Sequence, residues 1–492
     1  MGEPLSRNDR NPARSILATG KLKRELGFRD LVMFYVVSGI SLRWVATAAA
    51  TGPSSMGVWL LAWCGFFLPL AGCVLELSSR YPAEGGLYVW IREAFGPFPA
   101  FISAWTYWMS NLPYFPAVLF FAASSLLYAG HDMQHLAESH VYFMIFTIVI
   151  LLLITTLNVV GLSKGKWLNN VGAVAVVLPA ILLIGLSMVS LHKFGSATHF
   201  TLGGMLPHAG AKNLIFLSTI FFAFGGSEAA SFMGDEINDT RRMIPKSLLV
   251  AGVIVTFGYT AGTAAMLIAL PANAISGLGG FMTAIDFLAH KLGAAALVAP
   301  IAVLVAVGNV GTASAYFSAA ARLPFVAGVD RYLPPAFGRV HPRWGTPYIA
   351  LIAYGAAGIV FGVLGEAGTS VRGAYDMLVS MGVITYFIPY LFLFGSMIRL
   401  QSRPSPPVNG VRPIRLPGGK RTAIPLASIG LISTTCTIIL SLFPAEDDPN
   451  PRATLVKILI MTALLLGVGV AIYYLSHRSA RTGAPAANST LL

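Results

Sequence analysis

The stretch that decides the fold is FAFGGSE, residues 222–228, which places two glycines and a carboxylate inside a long apolar segment. A similar stretch, SGIS at residues 38–41, interrupts the first apolar segment and is followed by Arg43. A helix in a membrane satisfies its own backbone, so it is interrupted only where protein or water supplies hydrogen-bond partners. Paired interruptions of this kind indicate a membrane protein whose helices break around an internal site.

The composition of the 492-residue chain requires lipid as its main solvent. Hydrophobic residues make up 55% of the chain and charged residues only 11%, with a mean hydropathy of +0.71. Soluble proteins carry about 25% charged residues. Windows of about 19 residues identify twelve apolar spans, so we predict an all-α integral membrane protein with twelve transmembrane helices. The predicted spans are 31–50, 57–75, 98–128, 141–160, 168–190, 214–234, 247–270, 295–318, 346–365, 377–398, 423–443 and 454–475.

Basic residues are distributed unevenly between the connections. If the N-terminus is cytoplasmic, 26 of the 33 lysine and arginine residues lie on the cytoplasmic side, six lie on the other side, and Arg43 lies within a span. The positive-inside rule therefore predicts that both termini are cytoplasmic. This distribution explains the net charge of +13 without a nucleic-acid partner. The first thirty residues lack the apolar core and cleavage site of a signal peptide.

The two interruptions lie in the first and sixth spans. An odd number of crossings per repeat forces the second repeat to be inverted, as in secondary transporters. We predict repeats over 31–190 and 214–398, two extra helices over 423–475, and cytoplasmic segments at 1–30 and 476–492. Exposed N–H groups at a half-helix start bind a carboxylate, and freed carbonyl groups bind an ammonium or a cation. An amino acid carries both groups.

The breaks define most of the candidate substrate-binding residues. The eighth span adds the small and polar stretch GNVGTAS, residues 308–314, which is typical of either a tight helix interface or a hydroxyl-lined wall. Its hydroxyl side chains, Thr312 and Ser314, are the candidate cation ligands. The candidate substrate-binding residues are Ser38, Gly39, Ile40, Ser41, Trp105, Phe222, Phe224, Gly225, Gly226 and Asn309.

Two ionisable residues lie deep in these spans. A charge at that depth costs about 2.5–3.5 kcal/mol or more unless it faces a cavity or a partner. Arg43 and Glu228 therefore either form a structural ion pair or act separately in gating and coupling.

The connection between the second and third predicted spans contains the motif most specific to a known family. The stretch YPAEGGLYVWIREAFG, residues 81–96, resembles the loop after the second helix of amino acid/polyamine/organocation (APC) superfamily transporters. The run GGSEAASFMGDEINDTRRMIP, residues 225–245, is similar to the Gly-x-Glu segment of that superfamily. The run LPGGKRTAIPLASIGLISTTCTIILSLFPAEDD, residues 416–448, resembles bacterial glutamate/γ-aminobutyrate antiporters. The resemblance extends from about residue 26 to residue 474.

The resemblance implies a bacterial plasma-membrane transporter with a five-plus-five inverted-repeat core, broken first and sixth helices and alternating access. By position, Glu228 matches the gating glutamate and Phe222 an aromatic lid. Ile40 replaces the second glycine of the usual Gly-Ser/Thr-Gly motif. Arg43 has no counterpart that could be carried over from the antiporters.

The coupling mechanism stays open at this point. Some relatives use a lysine in the fifth helix in place of sodium, and this span has none between Val171 and Ser190. Substrate exchange, proton (H+) coupling through Glu228 and a sodium ion (Na+) near Thr312 and Ser314 are all compatible with the sequence. A homodimer is also left open.

Other functional classes are less well supported. The spans contain no nucleophile and base arrangement of an enzyme, no phosphate-binding loop of a pump, no metal-ligand spacing and no cofactor motif. A channel, or a sensor that binds an amino acid without moving it, remains the alternative to a carrier.

Overall fold

The computed structural model describes residues 24–130, 132–207, 218–330, 332–365, 371–404, 413–441 and 451–482. In these ranges the regular elements are helices, with one isolated β-bridge between Leu26 and Ile237. Eight described helical segments are long and apolar enough to cross a membrane, and three shorter apolar helices accompany them. The chain is thus all-helical and of membrane type, whereas the count of twelve and the inverted repeat stay predictions.

The helices of the described ranges are numbered in chain order. They are α1 Phe28–Gly39, α2 Leu42–Ala49, α3 Ser55–Arg80, α4 Leu87–Phe95, α5 Pro97–Leu126, α6 His140–Val160, α7 Leu162–Phe194, α8 218–223, α9 Thr240–Ala269, α10 Gly280–Lys291, α11 Val298–Ala320, α12 Arg322–Val329, α13 Tyr348–Gly365, α14 Val371–Leu400, α15 Lys420–Leu440 and α16 Pro451–Thr482. Single turns lie at Leu127–Ala129, Gln134–Leu136, Leu202–Met205, Ala272–Ala274, Ala295–Leu297 and Pro335–Gly338.

Parts of the predicted segments lie outside the described residues. These parts are 1–23 and 483–492 at the termini, the start of the sixth span at 214–217 and the end of the eleventh at 442–443.

The first predicted span is broken where the sequence indicates. Ile40 and Ser41 are extended, with φ and ψ of −99° and 120° for Ile40, and they separate α1 from α2. The Ile40 N–H still donates to the Val36 carbonyl and closes α1. The carbonyl groups that end α1 and the N–H groups that start α2 are therefore left for partners outside the helix.

The sixth predicted span is broken as well. Helix α8 stops at residue 223, turns follow over 224–228, and a 3-10 helix then runs from Ala229 to Glu236. Gly226 has a φ of +101°, a conformation that side-chain-bearing residues rarely adopt. Glycine at this position thus permits the break.

Helix α11 packs tightly on α7 through small residues. Gly311 lies against Gly172, and Gly308 lies against the backbone of Ala175, so closely that a methyl group on either α11 glycine would overlap α7. Of the two interpretations of GNVGTAS, the tight interface therefore describes these glycines.

The loop between α3 and α4, residues 81–86, packs on the 3-10 helix after the second break. The Gly85 N–H donates to the Phe232 carbonyl over 3.0 Å, and the Asp235 N–H donates to the Glu84 carboxylate over 2.9 Å. On the same side, Arg322 forms a buried two-pronged ion pair with Glu236, with a shortest N–O distance of 2.9 Å. Residues 81–86 thus contact the part of the sixth span that follows its break.

Candidate functional site

Tyr259 on α9 joins the two helix breaks. Its hydroxyl lies 2.7 Å from the Gly39 carbonyl in the first break and 3.0 Å from the Ala223 carbonyl in the second. It also accepts the Ser41 N–H at 3.2 Å. One side chain therefore supplies partners to backbone groups that the broken helices leave free.

Tyr316 on α11 makes a second link of the same kind. Its hydroxyl lies 3.0 Å from the Ser38 carbonyl and 3.4 Å from the Gly225 carbonyl. We call Tyr259 and Tyr316 the tyrosine bridges. Together they hold the two breaks side by side, which the sequence predicted only as a pair of interruptions.

A small cavity lies between the breaks and has room for roughly one water molecule. Its wall combines hydroxyl groups, an amide and aromatic rings, which is a lining suited to a small polar molecule. A molecule the size of an amino acid would need the aromatic side chains to move. The lining residues are Ser38, Ser41, Trp44, Ser110, Asn111, Tyr114, Phe222, Ala223, Tyr259, Tyr316 and Tyr386.

Phe222 forms one aromatic wall of this cavity. Its ring contacts Tyr386 at a centroid distance of 4.6 Å and Trp44 at 5.6 Å, both edge to face. These three rings come from α8, α14 and α2, so Phe222 lies where three helices meet at the cavity wall. This placement fits the aromatic lid that the family resemblance implies for Phe222.

Arg43 is fully buried and is not itself a lining residue, but it contacts Trp44 and Tyr114, which line the cavity. Its guanidinium carbon is 4.2 Å from the ring centroid of Trp44 and 4.8 Å from that of Tyr114. All three guanidinium nitrogens lack a hydrogen-bond partner within the described part of the chain. The guanidinium of Arg43 is thus a buried donor group without an acceptor among the described residues.

Glu228 is held by tyrosines. One carboxylate oxygen accepts the hydroxyl of Tyr107 at 2.7 Å, that of Tyr390 at 2.8 Å and that of Tyr386 at 3.4 Å. The other oxygen is buried without a partner among the described residues. The described ion pairs do not include one between Glu228 and Arg43. The two side chains are therefore not paired with each other in this structure.

The glycines of the second break are packed against tyrosines. A methyl group on Gly225 would overlap the Tyr386 side chain, and one on Gly226 would overlap the Tyr316 hydroxyl. Both glycines thus permit the backbone to approach the side chains that bind the break.

Two residues of the predicted site turn away from the cavity to pack on α9. A methyl group on Gly39 would overlap Val255, and the Ile40 side chain lies over Gly258. Ile40 therefore occupies the helix interface, which explains how a β-branched residue replaces glycine here without narrowing the cavity.

Three further predicted residues are also placed elsewhere. Phe224 packs on Trp59 with a centroid distance of 5.3 Å. The Trp105 indole donates to the Leu465 carbonyl of α16 at 2.9 Å. Asn309 donates to the Val305 carbonyl of its own helix at 2.8 Å. The structure thus does not bring these three side chains into the cavity lining.

The candidate cation ligands lie on the far side of the first break. The Thr312 hydroxyl donates to the Val37 carbonyl at 2.8 Å, and Ser314 lies 3.3 Å from the Asn158 amide. Thr312 therefore lies at the end of α1, where carbonyl oxygens collect, whereas Ser314 faces α6. No group of acidic, histidine and cysteine side chains suited to a metal occurs in the described ranges.

Sequence reasoning missed most of the aromatic lining. On α5, Tyr107, Asn111 and Tyr114 recur at helical spacing and face the breaks, whereas Trp105 faces α16. The spacing of polar and tyrosine residues could have identified this face. Tyr259 and Tyr316 carry no such signal, because each is a single tyrosine in an apolar span.

Comparison with known proteins gives the family. Residues 26–469 match the family model described as amino acid permease. The chain is 27% identical to an uncharacterized transporter of Legionella pneumophila, over 91% of this chain and 95% of the relative. It is 24% identical to a probable agmatine/putrescine antiporter of Lactococcus lactis, over 86% of this chain and 89% of the relative. It is 26% identical to a serine/threonine exchanger of Bacillus subtilis, over 78% of this chain and 84% of the relative.

Proposed function

The chain belongs to the amino acid permease family, within the APC superfamily of transporters, and we propose that it moves an amino acid or related amine across the bacterial plasma membrane by alternating access. We further propose twelve spans, an inverted repeat over 31–190 and 214–398, and both termini in the cytoplasm. Transport proceeds by exchange or by proton-coupled symport.

One observation carries this proposal. The breaks of the first and sixth spans lie side by side, and Tyr259 and Tyr316 each reach a carbonyl of both breaks. Broken helices that meet around a polar cavity are the binding-site architecture of secondary transporters. A continuous pore would instead need a polar path through the protein, whereas this cavity is closed by aromatic side chains.

The free backbone groups match the two charged ends of an amino acid. The start of α2 presents N–H groups and the positive end of a helix dipole, which favour a carboxylate. The carbonyl groups of Ser38 and Ala223 belong to residues that line the same cavity and suit an ammonium group. The tyrosine hydroxyls that now bind these carbonyls would rotate away as the ammonium enters.

Gating and coupling are assigned to two residues. Phe222 opens and closes the aromatic wall of the cavity. Glu228 takes up and releases a proton. Its carboxylate accepts hydrogen bonds from three tyrosine hydroxyls, and it lies two residues after Gly226 in the break. The tyrosines that bind it lie on α5 and α14. Protonation of this one carboxyl group therefore changes the hydrogen bonds that connect the sixth span to both helices.

The test uses the purified full-length protein in liposomes. Uptake of radiolabelled amino acids should saturate, and preloading the liposomes with the same amino acid should accelerate uptake by exchange. Gly226→Ala should abolish this uptake, whereas Gly185→Ala, in an open position on α7, should not. Unsaturable flux would identify a channel, and saturable binding with no flux would identify a sensor.

A further inference from the structure

We propose that Arg43 binds a carboxylate of the transported molecule, so that the site takes an amino acid and rejects a polyamine. This inference rests on the proposed function, because it assigns the substrate class of the same cavity. It does not follow from the family resemblance, because no role for Arg43 could be carried over from the antiporters.

The first reason is the burial of an unpaired charge. Arg43 is 0% exposed, and none of its guanidinium nitrogens has a hydrogen-bond partner in the described ranges. A buried charge is costly unless it is paired and hydrogen-bonded. A binding partner that supplies negative charge would therefore gain more from Arg43 than from an arginine already paired.

The other buried arginines of the described residues are paired with carboxylates, in contrast to Arg43. Arg322 pairs with Glu236 at 2.9 Å, and Arg80 pairs with Glu76 at 3.3 Å. Arg80 also donates to the Leu400 carbonyl at 2.8 Å. Among the buried arginines of the described residues, Arg43 is thus the one whose guanidinium has no acceptor.

The surroundings of Arg43 leave its donors usable. The guanidinium carbon lies over the rings of Trp44 and Tyr114, which stabilise a cation through their π faces. The N–H bonds of a guanidinium lie in its plane, so contacts with ring faces do not satisfy them. The rings therefore hold the side chain while its edge stays available for a two-pronged contact with a carboxylate.

Other donors converge at the same place. The Ser41 hydroxyl lines the cavity and has no partner in the described part of the chain. Helix α2 starts at Leu42, and its first N–H groups have no acceptor within the helix. A cation, a helix start and a free hydroxyl lie within three successive residues, and all three favour an anion.

The charges around the cavity also favour a substrate that carries a carboxylate. The described lining residues include no acidic side chain. One oxygen of the nearby Glu228 carboxylate accepts three tyrosine hydroxyls, and the other has no partner among the described residues, but Glu228 is not part of the cavity lining. A molecule with two ammonium groups would meet Arg43 without a compensating carboxylate of its own, whereas an amino acid brings one.

The test is a binding panel on the full-length protein. Thermal shifts are measured with the twenty common L-amino acids and with putrescine and agmatine, for wild type, Arg43→Met and Arg43→Lys. We expect amino acids, and not the two polyamines, to stabilise wild type. Arg43→Met should weaken amino acid binding at least about tenfold, and Arg43→Lys should retain part of it, because lysine keeps the charge without the two-pronged geometry.

The panel also identifies which carboxylate is bound. Equal weakening of all amino acids by Arg43→Met would assign the main-chain carboxylate, and weakening confined to aspartate and glutamate would assign a side-chain carboxylate. Polyamine binding to wild type as tight as that of amino acids would overturn the inference, and so would unchanged amino acid binding by Arg43→Met. The wild-type arm tests the inference even if that variant fails to fold.

The outcome separates this inference from the proposed function. Arg43-dependent binding of amino acids with no flux in liposomes would overturn transport and leave the role of Arg43 in place. Saturable polyamine flux would leave transport in place and overturn the role of Arg43. No binding or flux with any compound of the panel would overturn both.

Discussion

Gly226 lies against Tyr316 so closely that the first carbon of any side chain at position 226 would overlap the tyrosine hydroxyl. Because Gly226 also has a φ of +101°, a substitution is penalised twice, by overlap and by backbone strain. The close approach places the hydroxyl within reach of the carbonyl groups of both breaks.

We therefore expect Gly226→Ala to cost about 1–3 kcal/mol of stability and to abolish uptake. Measurements of melting temperature and liposome uptake check this. Gly185→Ala is the control, since nothing lies within 4 Å of the added carbon. Normal uptake by Gly226→Ala would place the substrate away from this break.

A second prediction concerns Glu228. Glu228→Gln keeps an oxygen that accepts the tyrosine hydroxyls but cannot exchange a proton, so the protein should fold and bind substrate. Net uptake should lose its dependence on pH between 5.5 and 7.5, while exchange of internal for external substrate continues. Retention of the wild-type pH profile by Glu228→Gln would exclude Glu228 as the coupling group.

A third prediction tests the separation of Arg43 from Glu228. Residues without a shared contact contribute additively to stability, to within about 0.5 kcal/mol. The stability changes of Arg43→Met and Glu228→Gln should therefore add in the double variant. Melting temperatures of the two single variants and the double decide the matter. Rescue of an unstable single variant by the double would show that the two charges are coupled after all.

The ion pair of Arg322 and Glu236 should matter much more to stability. Both side chains are buried, so Arg322→Met strands a carboxylate and should cost about 3–5 kcal/mol. Arg403→Met is the control, because its 4.0 Å contact with Glu93 is exposed and such pairs contribute about 1 kcal/mol or less. Similar melting temperatures for both variants would contradict this assignment.

The fifth prediction follows from Glu84 in the loop after α3. Burial raises the pKa of the Glu84 carboxyl well above 4.5, and the carboxylates of Glu236 and Asp235 raise it further against the opposing effect of Arg322. The folded protein thus holds this proton more tightly than the unfolded chain. The resulting stabilisation is complete below pH 4.5 and is lost as the pH rises through the folded pKa.

Glu84→Gln cannot titrate, so this variant should not lose stability through this group as the pH rises. The melting temperature of wild type should therefore fall relative to that of Glu84→Gln as the pH is raised from 5 to 8. Glu93→Gln, at an exposed carboxylate on α4, serves as the control. Parallel pH profiles for wild type and Glu84→Gln would show that Glu84 does not titrate differently in the folded protein.

The breaks could be predicted from sequence for a physical reason. An ionisable residue in the middle of an apolar span is costly unless it faces a cavity or a partner, and SGIS and FAFGGSE each combine such a residue nearby with glycine and serine, so they are conspicuous. The same reasoning identified Arg43 and Glu228 as functional charges. It left their pairing undecided, because depth along a span gives no information on the direction of a side chain.

The partners of the breaks could not be predicted in this way. Tyr316 meets the Ser38 carbonyl across 278 residues of sequence, and residues 308–320 of its helix are all buried, so no periodicity marks that contact. Trp105 shows the converse case. Its place among aromatic residues of α5 suggested the site, yet its own face of the helix is covered by α16.

The tyrosine bridges have a consequence for how the two halves of the site can part. A hydroxyl has one hydrogen, and Tyr259 and Tyr316 each have two carbonyl groups within reach, one on either break. When the breaks separate, each tyrosine can follow one of them and keep its bond. What is lost is a choice between acceptors and not the bond itself, so separation of the two breaks need not break either tyrosine hydrogen bond.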